Sequence, residues 1–437
     1  MKSMLALLCT AQFMVVLDVT IVAIALPQVR GDLGFTTAGL AWVVTAYTLS
    51  FGCLLIVAGR AGDLFGHRRL FAAGLTVFGV ASLICGVAWS PAVLVGARVI
   101  QGVGAAIVAP TALALLNSAF PAGPQRRHAL SWWTASAAGG GACGWLLGGV
   151  LTESLGWRSV FLVNVPVALV AALATRLLTE THRNTQGSLD LPGAATLTFA
   201  LAALLYGSWG FAAAVVALAW FVRIERRAAT PMLPLSALRD RKLSVPVLVA
   251  AVLTATTTPV MFIAVLYQQQ TLGAGALITG LATAPFNLAV IAGAALGPRP
   301  GPRAAMVGGL VAVAAGALGQ LRTGSYVTTM LPAFAVMGVG LGVASVASTG
   351  LGTEGSAPDQ RGLASGLLNA AAQLGTVLGL AALVPLAADD SLAGYHAVFK
   401  WAGAAAAAGA LLPLLTLRRR GQAVTGPGIS GGRRGTR

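Results

Sequence analysis

Charge is what this chain lacks most. Asp, Glu, Lys and Arg make up 9% of its 437 residues, where a soluble domain carries about a quarter. Apolar residues reach 57%. So apolar a chain cannot hide its side chains in one soluble core, and it calls for lipid as solvent. Lysine is scarcer still, with three residues and no Gly-Lys dipeptide anywhere. A phosphate-binding P-loop is therefore excluded, and with it ATP hydrolysis by that route. The four cysteines, Cys9, Cys53, Cys85 and Cys143, each stand alone in an apolar run, and the four histidines are equally scattered. That spacing argues against disulfides and zinc. With no nucleophile–base pair or metal cluster in the apolar runs, an enzyme is a poor fit and no cofactor is expected. The N-terminal run after Lys2 is too long for a signal peptide, contains Asp18 and lacks a small-residue cleavage site. It is read as a retained first span.

What the chain does contain is a series of hydrophobic runs. They fall near 4–26, 37–58, 70–89, 91–117, 129–151 and 158–178, then near 244–267, 277–297, 304–321, 326–349, 362–386 and 396–417. Between the two series lies 191–222, interrupted at Gly207, Ser208, Trp209 and Gly210. One helix over that stretch would be about 48 Å long, too long for a hydrocarbon core of about 30 Å. The formal net charge is +16, but the basic residues lie between the apolar runs rather than on a soluble face. Their placement marks membrane topology, not nucleic-acid binding. With the N-terminus in the cytoplasm, only Arg30, Arg158, Arg322 and Lys400 fall outside and Arg98 falls within a span. The basic segments flanking 191–222 are then both inside, so that stretch crosses an even number of times. Fourteen spans are expected, with twelve plus a shallow hairpin as the alternative.

The two series repeat one another. Arg98-Val-Ile-Gln101-Gly102-Val-Gly104 aligns with Phe334-Ala-Val-Met337-Gly338-Val-Gly340, and Gly59 with its basic loop aligns with Gly297 to Arg303. A parallel repeat of six-span halves around a central path is a transporter architecture.

Asp18 is the acid deepest in an apolar run, and Arg98 is the comparable base. Charges at such depth are costly and mark function by default. Counting 1.5 Å per residue, both lie roughly 10–12 Å below the outer surface, so they can pair or share a cavity. A carboxyl group between a desolvating interior and a cation can load a proton from one side and release it to the other, whereas an arginine stays charged. The competing reading makes the pair structural glue between helices.

Three further patterns stand out. The loop Gly59-Arg-Ala-Gly-Asp63-Leu-Phe-Gly66-His67-Arg68-Arg69 permits a tight turn, with Asp63 placed to cap a helix start and the arginines to face helix C-termini. Plain positive-inside anchoring would explain the bases but not Asp63 with its glycine spacing. The run Gly139-Gly140-Gly141-Ala-Cys-Gly144-Trp145-Leu-Leu-Gly148-Gly149 lets helices approach closely, either as static packing or as a moving interface. Thr254, Thr256, Thr257 and Thr258 lie mid-span and are expected to bond to backbone carbonyls one turn back.

Together these segments resemble the major facilitator superfamily, specifically its fourteen-span drug:proton antiporters. Leu17-Asp18-Val-Thr20 through Leu26-Pro27 is similar to their first-span motif, and Gly59 to Arg69 to the superfamily's loop motif. Arg98-Val-Ile-Gln101-Gly102, with Pro110 downstream, resembles the fourth-span motif implicated in proton transfer. Gly140, Gly144, Trp145, Gly148 and Gly149 resemble the antiporter motif of the fifth span, and Trp157-Arg158-Ser-Val-Phe161-Leu-Val-Asn164-Val-Pro166 the family's sixth-span entry. His67 stands where arginine is usual, and Trp145 where the motif has proline.

The resemblance implies an all-α polytopic fold of two six-helix bundles, over 1–180 and 243–418. A central segment, 181–242, carries a two-helix insertion, and a basic tail follows over 419–437. It implies alternating access and proton-coupled export of small hydrophobic or amphipathic compounds, with a nutrient facilitator or a non-transporting receptor as the rival readings. Asp18, Arg98 and Gln101 would serve coupling or substrate. Gly59, Asp63, Gly66, His67, Arg68 and Arg69 would form the gating loop. Expected partners are a small-molecule substrate, protons and lipid, without ATP or nucleic acid, the chain acting as a monomer. The expected location is a bacterial cytoplasmic membrane with both termini inside. One deep acid offers no counter-charge to a bivalent cation, so neutral or monocationic substrates are expected.

Overall fold

In hydrocarbon every backbone amide must find its partner within the protein, and for single apolar segments the helix is the solution. The computed structural model describes residues 2–120, 123–178, 191–203, 207–227, 240–297, 299, 301–321, 326–354, 361–389 and 391–417. The described residues form helices and connecting turns, without strands. Nine of the described helices are long and apolar enough to cross a membrane. The chain is a multi-pass membrane protein.

The first series comprises α1 (Lys2–Leu33), α2 (Thr37–Phe65), α3 (His67–Gly86), α4 (Pro91–Ala119) and α5 (Pro124–Leu155), followed by α6 (Ser159–Leu162) and α7 (Asn164–Ala174). The second comprises α10 (Arg241–Leu266), α11 (Ala276–Leu296), α12 (Pro302–Gly319), α13 (Leu331–Glu354), α14 (Arg361–Leu383) and α15 (Leu392–Thr416). Between them lie α8 (Leu191–Ala203) and α9 (Gly207–Glu225). Polar residues start several helices in the usual way: Thr36, Ser90 and Ser391 each accept the amide three residues on, and Asp240 accepts that of Lys242. Gly66, at φ 96°, turns α2 directly into α3.

The packing repeats. In the first series α1 lies against α5, α4 against α2 and α3, and α3 against α7. In the second α10 lies against α14, α13 against α11 and α12, and α12 against α15. The two series meet chiefly along α5–α11 and α2–α14, the same pairing taken in both directions.

Two expectations are refined. The run 158–178 is not one helix but α6, α7 and a closing turn of 3-10 helix, Thr175–Leu177. Pro166 has no amide to give Leu162, and the helix breaks at Val163. The 191–222 stretch is two helices packed on each other, with α8 also touching α2 and α14. Their 13 and 19 residues correspond to about 20 and 28 Å. The tail beyond 417 and the linkers 179–190 and 228–239 lie outside the described residues.

Candidate functional site

Asp18 and Arg98 meet. Arg98 Nη1 donates to Asp18 Oδ2 at 2.5 Å, with the arginine 1% and the aspartate 0% exposed. Such a pair, removed from water, is tolerable only when its remaining hydrogen-bonding capacity is also filled. Arg98 Nη1 also donates to Gln101 Oε1 at 2.7 Å, and Nε to the Val43 carbonyl of α2 at 2.8 Å. The guanidinium lies 4.3 Å from the Tyr47 ring centroid, a cation–π contact, with the Phe161 ring beyond it.

The carboxylate is equally occupied. Its Oδ1 accepts from Gln101 Nε2 at 2.8 Å and from Asn164 Nδ2 at 2.9 Å. Gln101 Nε2 donates again to Ser82 Oγ at 2.8 Å, and its Oε1 accepts from the Cys85 thiol at 3.7 Å. Asp18 on α1 is thus held by donors from α4 and α7, with α2 and α3 bracing those donors. An ionised carboxylate only accepts hydrogen bonds. Oδ1 already faces two donors while Oδ2 faces one, so a proton loaded on Oδ1 would displace a donor and one loaded on Oδ2 would cancel the charge that Arg98 holds.

The glycines of α5 divide between two neighbours. A methyl group on Gly140 would lie 2.6 Å from the Phe13 carbonyl oxygen, one on Gly148 would lie 2.8 Å from that of Ile21, and one on Gly144 would strike the Thr20 hydroxyl. These three face α1. Gly149 faces α11, where a methyl would lie 2.9 Å from the Ala276 carbonyl oxygen. Trp145 is buried at 5% exposure, its carbonyl oxygen against Gly280 of α11, and its indole N–H has no partner among the described residues.

The α2–α3 turn is a separate place. It lies about 30 Å along α2 from the Arg98 contact at Val43, by helical rise. Among the described residues, Asp63 does not cap a neighbouring helix. Its carboxylate accepts from His67 Nε2 at 3.1 Å across the Gly66 turn and is itself 60% exposed. Arg68 does face a helix end, donating from Nε to the Thr175 carbonyl at 3.0 Å just past α7. Gly59 lies in α2 near Pro110 of α4. Arg60 and Arg69 both have partners in the structure.

Thr254, Thr256 and Thr257 bond as expected to carbonyls on their own helix, with Thr254 also reaching the Ala372 carbonyl of α14 at 2.6 Å. Thr258 instead meets the Thr376 hydroxyl of α14 at 3.4 Å. Sequence reasoning had not assigned Asn164, Ser82 or Tyr47 to the Asp18 cluster. Asn164 is named in the sequence only within the resemblance of Trp157 to Pro166 to the family's sixth-span entry.

The family model described as Major Facilitator Superfamily matches residues 8–380. A cephamycin export protein of Amycolatopsis lactamdurans is 42% identical over 87% of this chain and 84% of its own length. A puromycin resistance protein of Streptomyces alboniger is 39% identical over 87% and 80%. A tetracenomycin C resistance and export protein of Streptomyces glaucescens is 33% identical over 86% and 74%. The crystal structure of the peptide transporter POT shares the fold, with a TM-score of 0.70 at 16% identity over 94% of this chain and 93% of that one. A repeated helical scaffold around a buried ion pair, and matches of this extent, lead to one conclusion: the chain belongs to the Major Facilitator Superfamily.

Proposed function

We propose that the chain is a proton-coupled exporter of small hydrophobic or amphipathic compounds, drugs or secondary metabolites among them, and that Asp18 carries the proton. The observation that carries this reading is the Asp18 carboxylate, fully buried and held by Arg98, Gln101 and Asn164 from two other helices. Taking up a proton removes the negative charge that draws those donors in and lets α1 move against α4 or α7. Releasing it draws them together again. A proton is thereby exchanged for a change of shape, as alternating access requires. Export rather than import is favoured by the relatives named above, several of which are export or resistance proteins. The arginine-rich end that holds the α2–α3 turn faces the cytoplasm in this reading, with both termini inside a bacterial cytoplasmic membrane. The α2–α3 turn and the α5 glycines act as gate elements, and neutral or monocationic compounds are the favoured substrates.

The test is proton movement in everted membrane vesicles energised to hold a gradient. Addition of an amphipathic dye panel is expected to release the gradient with the wild type and not with Asp18→Asn. A folded Asp18→Asn protein that still exchanges dye for protons would reduce the ion pair to glue. A wild type that answers to no dye would move a narrow metabolite exporter to the front.

A further inference from the structure

The end of the molecule away from the α2–α3 turn carries a second acid with an unusual partner. Glu153, in the last turn of α5, reaches across the seam between the two series to the start of α11. Its Oε2 accepts the Ala276 amide at 2.8 Å and the Leu277 amide at 3.4 Å. These are the first two amides of α11, donors that have no partner within their own helix. The residue before them, Gly275, has no side chain with which to cap. A methyl group there would lie 3.0 Å and 3.1 Å from the two Glu153 oxygens, so the glycine leaves room for the carboxylate. The cap of α11 is thus supplied by the other half of the molecule, and the negative charge sits at the positive end of the helix.

The contacts around it share this crossing character. Gln269 Nε2 donates to the Ile24 carbonyl of α1 at 3.0 Å, and Arg30 Nη1 to Gln270 Oε1 at 3.2 Å. One turn below Glu153, Gly149 lies against Ala276 and Leu277, and one turn further Gly280 lies against the Trp145 carbonyl. Beside the carboxylate is a cavity of about 410 Å³ lined by Pro27, Gln28, Glu153, Gln269, Gln270 and Gly275. The α5–α11 seam is therefore a run of close backbone contacts ending in one charged cap, with space beside it.

We propose that Glu153 is the positioning residue that holds the outer mouth closed. Opening that mouth parts α5 from α11. It then leaves the first α11 amides without their carboxylate cap and widens the open cavity beside it. The strength of this one cap sets the resting balance between the closed and open outer mouth, while Asp18 carries the proton. This inference rests on the alternating-access reading.

The test measures distances between spin labels at Gly31→Cys and Leu272→Cys, two exposed outer positions on opposite halves. The protein is the full chain in proteoliposomes without substrate, with Cys9, Cys53, Cys85 and Cys143 replaced by alanine. Glu153→Ala is expected to raise the long-distance population about fivefold relative to wild type, the effect of losing a helix cap. Glu153→Gln keeps the shape and an acceptor oxygen but not the charge, and about a twofold rise is expected. It carries the test if the alanine variant does not accumulate in the membrane. A distance distribution identical to wild type in whichever variant inserts overturns the proposal. The readout needs neither substrate nor gradient. A chain that exports nothing yet shifts with Glu153→Ala refutes the export reading alone.

Discussion

The fourth helix of each half makes the same contacts with opposite chemistry. In α4, Gly102 lies against Tyr47 and Ser50 of α2, and Gly104 against Phe78 of α3. In α13, Gly338 lies against Phe286 and Ala289 of α11, and Gly340 against Gly309 and Ala312 of α12. The glycines that set the helix spacing occur in both. The residues one turn before them do not: Arg98 and Gln101 in the first half face Phe334 and Met337 in the second, and all four are buried. A duplicated scaffold thus needs its small residues twice, because both bundles must pack. A buried charge is costly wherever it stands, and among the described residues of the two halves it occurs in the one that holds the Asp18 cluster.

Transplanting one half's chemistry into the other breaks this comparison most severely. Arg98→Phe with Gln101→Met leaves Asp18 with Asn164 alone. A buried charge stripped of its partner costs about 3–5 kcal/mol, and thermal unfolding of the purified protein should show that loss. Adding Asp18→Leu removes the orphaned charge and should restore most of the stability, since an apolar replacement of a buried pair is often neutral. The triple variant should nonetheless release no protons on dye addition in everted vesicles. If it does, the asymmetry between the halves has nothing to do with coupling.

The second prediction asks whether the scaffold is as symmetric as it looks. Gly102→Ala places a methyl group 2.5 Å from the Tyr47 carbonyl oxygen, and Gly338→Ala places one 2.8 Å from the Ala289 methyl. Each should cost about 1–3 kcal/mol by overpacking, and the two melting temperatures should fall together. A loss confined to one variant would show that the repeat conserves residues without conserving tightness.

A smaller effect is expected at Asn164, which gives Asp18 Oδ1 one of its two donors. Asn164→Ala should slow dye-driven proton release by about ten- to a hundredfold, the value of a single hydrogen bond to a charged group, and leave export detectable. Loss as complete as in Asp18→Asn would make Asn164 part of the proton path itself.

These residues also show where sequence reading stops. Asp18 and Arg98 were legible because an acid and a base in apolar runs are expensive, and counting residues from the span ends placed them at one depth. The α5 glycines were legible by their four-residue spacing, though not which neighbour each one faces. Asn164, Ser82 and Tyr47 were not legible as parts of the cluster, because an uncharged polar residue in a helix can satisfy itself on its own backbone, as Ser82 also does with Phe78. The break between α6 and α7 follows from Pro166. Glu153 escaped notice because an acid at a span end costs little, and nothing local says that the amides it caps lie 123 residues away.

The finest contrast lies in the turns between the second and third helices of each half. Arg68, at the start of α3, donates to the Thr175 carbonyl beyond α7. Arg303, at the start of α12, donates to the Pro413 and Leu414 carbonyls near the end of α15. Both arginines sit where a helix C-terminus concentrates negative charge, and each should contribute about 0.3–1 kcal/mol. Arg68→Ala and Arg303→Ala should therefore lower the melting temperature by similar small amounts. Only the first turn adds an acid: Asp63, paired with His67 and 60% exposed, has Gly301 as its counterpart at the offset that pairs Gly59 with Gly297. An exposed pair of that kind contributes little to stability, so Asp63→Asn should leave the melting temperature within about 1 °C of wild type. If Asp63 belongs to a gate, dye-driven proton release should slow in the same variant while Arg303→Ala leaves it unaltered. Equal transport by both variants would make the first turn, like the second, an anchor and nothing more.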